Sequence, residues 1–153
     1  MIRSLVTQGQ RRSIQKVKRG TFMLVSPWGR SVDALIIPRS YQETLEFEYG
    51  SVNSALNGVD PEWRERDLVV LSSHLVASDC AKMIDLAHSA GFDAVVAPVV
   101  LGRKEISKYN SCLVLPWDER LTICNDKTDE PEGQLLALGH DLWSWVAALL
   151  EGR

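Results

Sequence analysis

Residues 67–97, DLVVLSSHLVASDCAKMIDLAHSAGFDAVVA, carry the reading of this chain. LVVL (68–71) is an apolar run suited to a strand buried on both faces. A polar loop, SSHLVAS (72–78), follows it. Cys80, Met83, Ile84 and Ala87 then recur at i, i+3, i+4 and i+7, the spacing of one buried helix stripe. Ser78 is placed to cap that helix, and Asp79 suits the positive end of its dipole. Gly91 supplies a left-handed stop. AVVA (94–97) reads as the next strand, ended near Pro98. A strand–helix–strand succession of this length predicts parallel strands joined by a right-handed crossover.

Working outward, TFMLVS (21–26) and VDALIIP (32–38) read as two strands of a hairpin around Pro27-Trp28-Gly29. Residues 40–66 admit two readings. Leu45, Phe47 and Tyr49 alternate with Glu46 and Glu48 as in a strand, yet Tyr41, Leu45 and Tyr49 fall at helical spacing. Ser51 or Asn53 is a candidate helix cap, and Pro61-Glu62-Trp63 opens a short helix or turn. SCLVLPW (111–117) and RLTICN (120–125) read as short strands; the two-residue Asp118-Glu119 connection predicts an antiparallel hairpin. Residues 131–150 form a helix with Thr128 or Asp129 as cap. Its apolar residues cover more than one stripe, which predicts packing between two surfaces or against a partner subunit. The expectation is therefore an α/β fold: a single-domain mixed sheet with a central right-handed βαβ unit (67–97) and a C-terminal amphipathic helix.

At 153 residues the chain fits one domain able to bury roughly 70% of its unfolded surface. Its hydrophobic content of 45% and charged content of 24% are those of a soluble globular protein. No apolar run approaches the ~20 residues of a membrane span, and the expected location is cytoplasmic. Three cysteines, Cys80, Cys112 and Cys124, make an odd set without CxxC spacing, which disfavours both a disulfide framework and a sulfur-based zinc site. They read as buried thiols.

Net charge is −3, but it is distributed unevenly. Residues 1–40 hold eight Lys and Arg against one acid, Asp33, whereas the rest of the chain is acidic. Residues 1–20 thus read as a basic N-terminal arm or hairpin on a domain spanning 21–153. Within that arm Arg11, Arg12, Lys16, Lys18 and Arg19 are the candidates for contacting nucleic acid or an acidic neighbouring subunit.

Ligands of parallel α/β sheets sit beyond the carboxyl ends of the strands. That edge holds Ser73 and Ser78, candidates for anion binding at the start of the helix. The loop has no glycine, so a tight phosphate cradle is disfavoured and no cofactor is expected. His74 at the strand end, with Asp79, Asp118 and Glu119, forms the candidate set for an enzyme, His74 as general base and the acids as raw material for a metal site. No dedicated metal centre is expected. His88 and His140 have no acidic or cysteine neighbour at ligand spacing on their own helix faces.

The segment DLVVLSSHLVASDCAKMIDLAHSAGF resembles the acidic βαβ segment of NYN/PIN-like metal-dependent ribonucleases. There a strand ends in a Ser-Gly-Asp-x-Asp-like turn that opens a helix, and a glycine closes it; Asp79 and Gly91 match. The first acid of the turn is missing, two residues are inserted, and Asp-x-x-Asn after the first strand is not found. The resemblance implies a small metal-dependent hydrolase or nuclease. Three functions follow from the residues. The leading one is a non-catalytic binding or assembly module, using the basic arm and a homo-oligomer or partner contact through the C-terminal helix. The second is the hydrolase. The third is a small-ligand-binding Rossmann-like domain, which requires an apolar pocket at the strand ends.

Overall fold

The computed structural model describes residues 1–100, 109–124 and 131–152. Helix α1 (Ile2–Gln10) precedes the strands β1 (Gly20–Val25) and β2 (Ser31–Ile37). Two helices, α2 (Tyr41–Tyr49) and α3 (Val52–Val59), and a 3-10 turn (Trp63–Glu65) lead to β3 (Leu68–Leu71) and α4 (Ala77–Ser89). Then come β4 (Val95–Val96), β5 (Val99–Val100), α5 (Asn110–Leu113), β6 (Glu119–Arg120), β7 (Ile123–Cys124) and α6 (Pro131–Glu151). The cap candidates Thr128 and Asp129 lie outside the described residues. Among those residues no helix is long and apolar enough to cross a membrane.

The hairpin forms as its sequence predicts. β1 and β2 pair antiparallel from Gly20↔Ile36 to Val25↔Ser31. Gly29 takes the positive φ (93°) that the turn needs, and Ser26 Oγ accepts from Arg30 N–H at 3.1 Å. β2 then pairs in parallel with β3, Ala34↔Leu68 to Ile37↔Leu71. A parallel neighbour needs a long crossover, and α2 and α3 supply it. The alternation in 45–49 yields to helical spacing because Tyr41 and Leu45 find a core, leaving Phe47 97% exposed. Gly50 closes α2 at φ 73°, and Ser51 caps α3 by accepting from Ser54 N–H at 3.1 Å.

Helices cover the mixed three-stranded sheet β1-β2-β3 on both faces. One face (Leu24, Val32, Ala34, Ile36) packs on α1 and α6 through Leu5, Val6, Trp143 and Val146. The other (Leu35, Ile37) packs on α2, α3 and Trp63. The basic N-terminal stretch is thus divided: α1 buries Leu5 and Val6, and residues 11–19 connect it to β1. α6 turns Leu142, Trp143, Val146, Ala147 and Leu150 inward.

Residues 111–124 differ from the expected antiparallel hairpin, whose last residue, Asn125, lies outside the described residues. Residues 110–113 are helical, and β4 pairs in parallel with β6 (Val95↔Glu119), as β5 does with β7 (Val99↔Ile123). Leu121 N–H donates to Val96 O and Ile123 N–H to Pro98 O, so the ladder runs past Pro98, which interrupts it only by lacking an N–H. The helical turn is favoured because Cys112 is fully buried and later residues satisfy its carbonyls. Trp117 Nε1 donates to Cys112 O at 2.9 Å, and Arg120 donates to Leu113 O and Leu115 O.

The expected strand–helix–strand order of 67–97 is present, but its two strands share no ladder. β3 pairs with β2, and β4 with β6. α4 also starts at Ala77 with Val76 at the cap position, so Ser78 lies inside the first turn and is not the N-cap.

Candidate functional site

Between the edges of β3 and β4, which have no ladder partner among the described residues, lies a cavity of about 700 Å³. Its walls include Leu68–Leu71 and Val95–Val96; Met83 and Leu86 of α4 line one side, Trp145 and Leu149 of α6 the other. All four β3 residues are half-buried, whereas Ala34, Leu35, Ile36 and Ile37 of the adjacent β2 are fully buried. The expectation that LVVL is buried on both faces fails for that reason. A fully buried Val or Leu contributes about 1.5–3 kcal/mol, so four half-buried ones leave roughly 3–6 kcal/mol that an apolar occupant can recover.

The loop leaving β3 forms one rim. Ser72 N–H donates to Ile37 O and its carbonyl accepts from Tyr41 N–H at 2.9 Å. Leu75 lines the cavity with φ 57°, a left-handed conformation rare for a bulky side chain, and its N–H is held by Ser73 Oγ at 3.1 Å. Gln42 ties this loop to two helices. Its Nε2 donates to Asp79 Oδ2 (2.8 Å) and Ser73 Oγ (3.2 Å), and its Oε1 accepts from His74 N–H (3.0 Å) and Ser40 Oγ (2.8 Å). Cys80 also lines the cavity; burial, with the Cys112 thiol beside it, pushes its thiol up to about 12. A thiol so held is protonated at neutral pH and is no nucleophile.

The candidate catalytic residues do not converge. His74 Nε2 meets Glu43 Oε1 at 3.0 Å, with both side chains exposed. Asp79 is buried and engaged by Gln42. Asp118 pairs with His88 Nε2 at 2.8 Å and accepts from Ala94 N–H at 2.7 Å. The His88 bond, then the Ala94 N–H, hold the Asp118 carboxyl below the usual carboxylate range. Glu119 is exposed at the cavity wall. Among the described residues no three His, Cys, Asp or Glu side chains are grouped to hold a metal ion.

Of the anion candidates, Ser73 is committed to Gln42 and Leu75, and Ser78 is exposed on α4. Of the basic candidates, Arg19 forms a two-pronged pair with Glu48 (2.7 and 3.1 Å), Arg11 donates to Ser26 O (3.2 Å) and Arg12 to Gln10 (3.2 Å). Lys16 and Lys18 are exposed without an ion pair among the described residues.

Sequence reasoning missed Gln42, Leu75 and the His88–Asp118 pair. Gln42 reaches partners 31 to 37 residues away, and His88 a partner 30 residues away, spacings for which no local pattern exists. Comparison of the chain with protein-family models, curated proteins and solved structures gives no match.

Proposed function

We propose that the protein is a non-catalytic binding module that takes a small, largely apolar ligand into the slot between β3 and β4. One observation carries this reading: two strand edges that have no ladder partner among the described residues border a partly open cavity of about 700 Å³ with mainly apolar walls. That volume lies within the roughly 300–1,000 Å³ of small-molecule sites. The hydrogen-bonded Ser73–Gln42–Asp79 rim supports it, since a site on braced elements needs little ordering when it fills. The right-handed βαβ unit expected for 67–97 belongs to the same reading: it is completed only where β3 and β4 meet, and the ligand takes the place of that pairing.

The test uses the neutral fluorophore 1-aminoanthracene. Trp63, Trp117 and Trp145 line the slot and serve as energy donors. Saturable enhancement of the probe with quenching of tryptophan emission is expected, lost in Val70→Asp. Binding that is absent, or unchanged in that variant, overturns the reading.

A second reading has its own observation. Arg12, Lys16 and Lys18 are exposed in the segment between α1 and β1 and meet no carboxylate among the described residues. This strip suits a polyanion such as single-stranded nucleic acid. With about three phosphate contacts the slope of log K against log salt is about −2 to −3. A labelled oligonucleotide whose binding has no such slope, or is unchanged in R12Q/K16Q/K18Q, removes it.

A further inference from the structure

A second concavity opens at the other end of β3 from Ser73 and Ser78. It has a volume of about 230 Å³, and three arginines, Arg30, Arg64 and Arg66, line it. Asp67, Phe92 and Leu150 belong to its wall and to that of the slot, so the two spaces adjoin.

The three guanidinium groups are held differently. Arg66 is neutralised: it bonds Asp60 (2.8 Å) and Asp33 (2.6 Å), which raise its pKa above the ordinary value, Asp60 most. Arg64 is held by neutral groups. Its Nη1 donates to Asn57 Oδ1 (3.0 Å), its Nη2 to Asn53 Oδ1 (3.1 Å), and it lies 4.3 Å over the Trp63 ring. Arg30 Nη1 donates to the Leu150 carbonyl at 2.5 Å, and Glu151 accepts from Ser26 Oγ rather than pairing with it. Neither Arg30 nor Arg64 meets a carboxylate among the described residues. Two cations are thus positioned without being discharged. The cleft's carboxylate, Asp67, is occupied by Asp33 N–H at 2.8 Å, and against two such cations it favours a single negative charge over two.

We propose that this cleft receives the anionic head of the slot's ligand, which is therefore an amphipathic monoanion: an apolar body ending in a carboxylate or comparable oxyanion. Arg30 and Arg64 bind the head by charge-assisted hydrogen bonds from N–H groups not used inside the protein. The proposal rests on the slot reading above and adds the chemistry of one end.

Decanoate and 1-decanol share a chain and differ in the head, so each is titrated as a displacer of 1-aminoanthracene. Decanoate is expected to compete about tenfold or more better than decanol at low salt, as a charged hydrogen-bonded pair implies. Raising salt from about 0.05 to about 0.5 M should weaken decanoate and leave decanol unchanged. In R30Q/R64Q the preference should fall to about threefold or less, with fluorophore binding retained; R30Q alone, which spares the Arg64–Trp63 contact, covers a double variant that does not fold. If 1-aminoanthracene does not bind, the slot reading falls and this one with it. If it binds and the two displacers compete equally, or the preference survives in both variants, the head-group proposal alone is overturned.

Discussion

Trp63 stacks on Phe92, with ring centroids 6.0 Å apart and planes 18° from parallel. Trp63 precedes β3 and Phe92 precedes β4, so this contact joins the starts of two strands that have no ladder between them. It fixes one end of the slot while the rest of it stays open. Phe92→Ala removes the ring and leaves a void beside a fully buried indole, at a cost of about 2–4 kcal/mol by urea unfolding. Phe92→Leu keeps part of the apolar volume without the ring and costs about half as much or less. Equal losses for the two variants would show that stacking and volume at this point do not brace the slot.

The seam between α1 and α6 depends on Gly139. A Cβ there would lie 3.0 Å from the carbonyl carbon of Ser4 and still closer to its Cβ. Helix propensity alone favours Ala over Gly by about 1 kcal/mol. Here the backbone of α1 is in the way and cannot rotate aside, so Gly139→Ala is expected to destabilise by about 1–3 kcal/mol. Gly133, on the same helix with open space around it, provides the control: Gly133→Ala is neutral or stabilising by up to about 1 kcal/mol. Thermal melts of the pair decide the sign.

Local signals made part of this fold legible. The hairpin turn at Pro27-Trp28-Gly29 and the helices α4 and α6 each rest on signals within one segment and appear at the expected positions, although of the α4 stripe only Cys80 and Ile84 are buried, Met83 and Ala87 being half-buried on the cavity wall. Where two local patterns compete, as at 41–49, the core decides: Tyr41 and Leu45 are buried by α3 and β2, which no window of sequence contains. Residues 111–117 look like a strand, but Arg120 and Trp117 satisfy the carbonyls of a helical turn instead. The candidate site was less legible. Ser73, His74 and Asp79 do stand together on one rim, but Gln42 organises them from a distant helix. The cationic cleft was hidden because Arg30, Arg64 and Arg66 meet only through the tertiary fold.

Acid should unfold the protein through its paired carboxylates. Arg66 chiefly holds Asp60, and His88 chiefly holds Asp118, below the usual carboxylate range. A group whose folded pKa lies below its unfolded value contributes stability above the unfolded pKa, and the contribution is lost as pH falls through the folded one. These two groups therefore leave stability level between about pH 6 and 8 and lower it below about pH 4. Asp60→Asn should flatten that acid limb while lowering stability at neutral pH. An acid limb as steep as in the parent protein would assign acid unfolding to other groups.

Leu75 carries a conformational cost that glycine relieves. Its φ of 57° costs a non-glycine residue about 1–2 kcal/mol. Leu75→Gly removes that strain, loses a half-buried side chain and gives the unfolded chain more freedom, so the terms nearly cancel and stability stays within about 1 kcal/mol. The same change at Leu71, inside β3, has no strain to relieve and should cost about 3 kcal/mol. Ligand binding separates the two roles of Leu75: a retained melting temperature with weakened 1-aminoanthracene binding marks a residue strained to complete the cavity wall.

The open edge of β3 makes the most direct prediction. Ser72 N–H donates to Ile37 O, and alternation from there turns the N–H of Val70 toward β2 as well; the alternation breaks at the start of the strand, where Asp67 N–H also donates to β2, at Asp33 O. The alternation running back from Ser72 turns the N–H groups of Val69 and Leu71 toward the slot, where no strand among the described residues receives them. Hydrogen exchange at neutral pH should therefore be fast at Val69 and Leu71 and slow at Val70 and at Ile36 of β2. The contrast should be about a hundredfold or more, since amides without a partner open at little cost. Saturating 1-aminoanthracene should slow Val69 and Leu71 by excluding water from the slot and leave Ile36 as it was. Slow exchange at both residues in the ligand-free protein would mean that β3 and β4 are paired in solution. In that case the βαβ unit is closed, and the binding reading is lost with the slot.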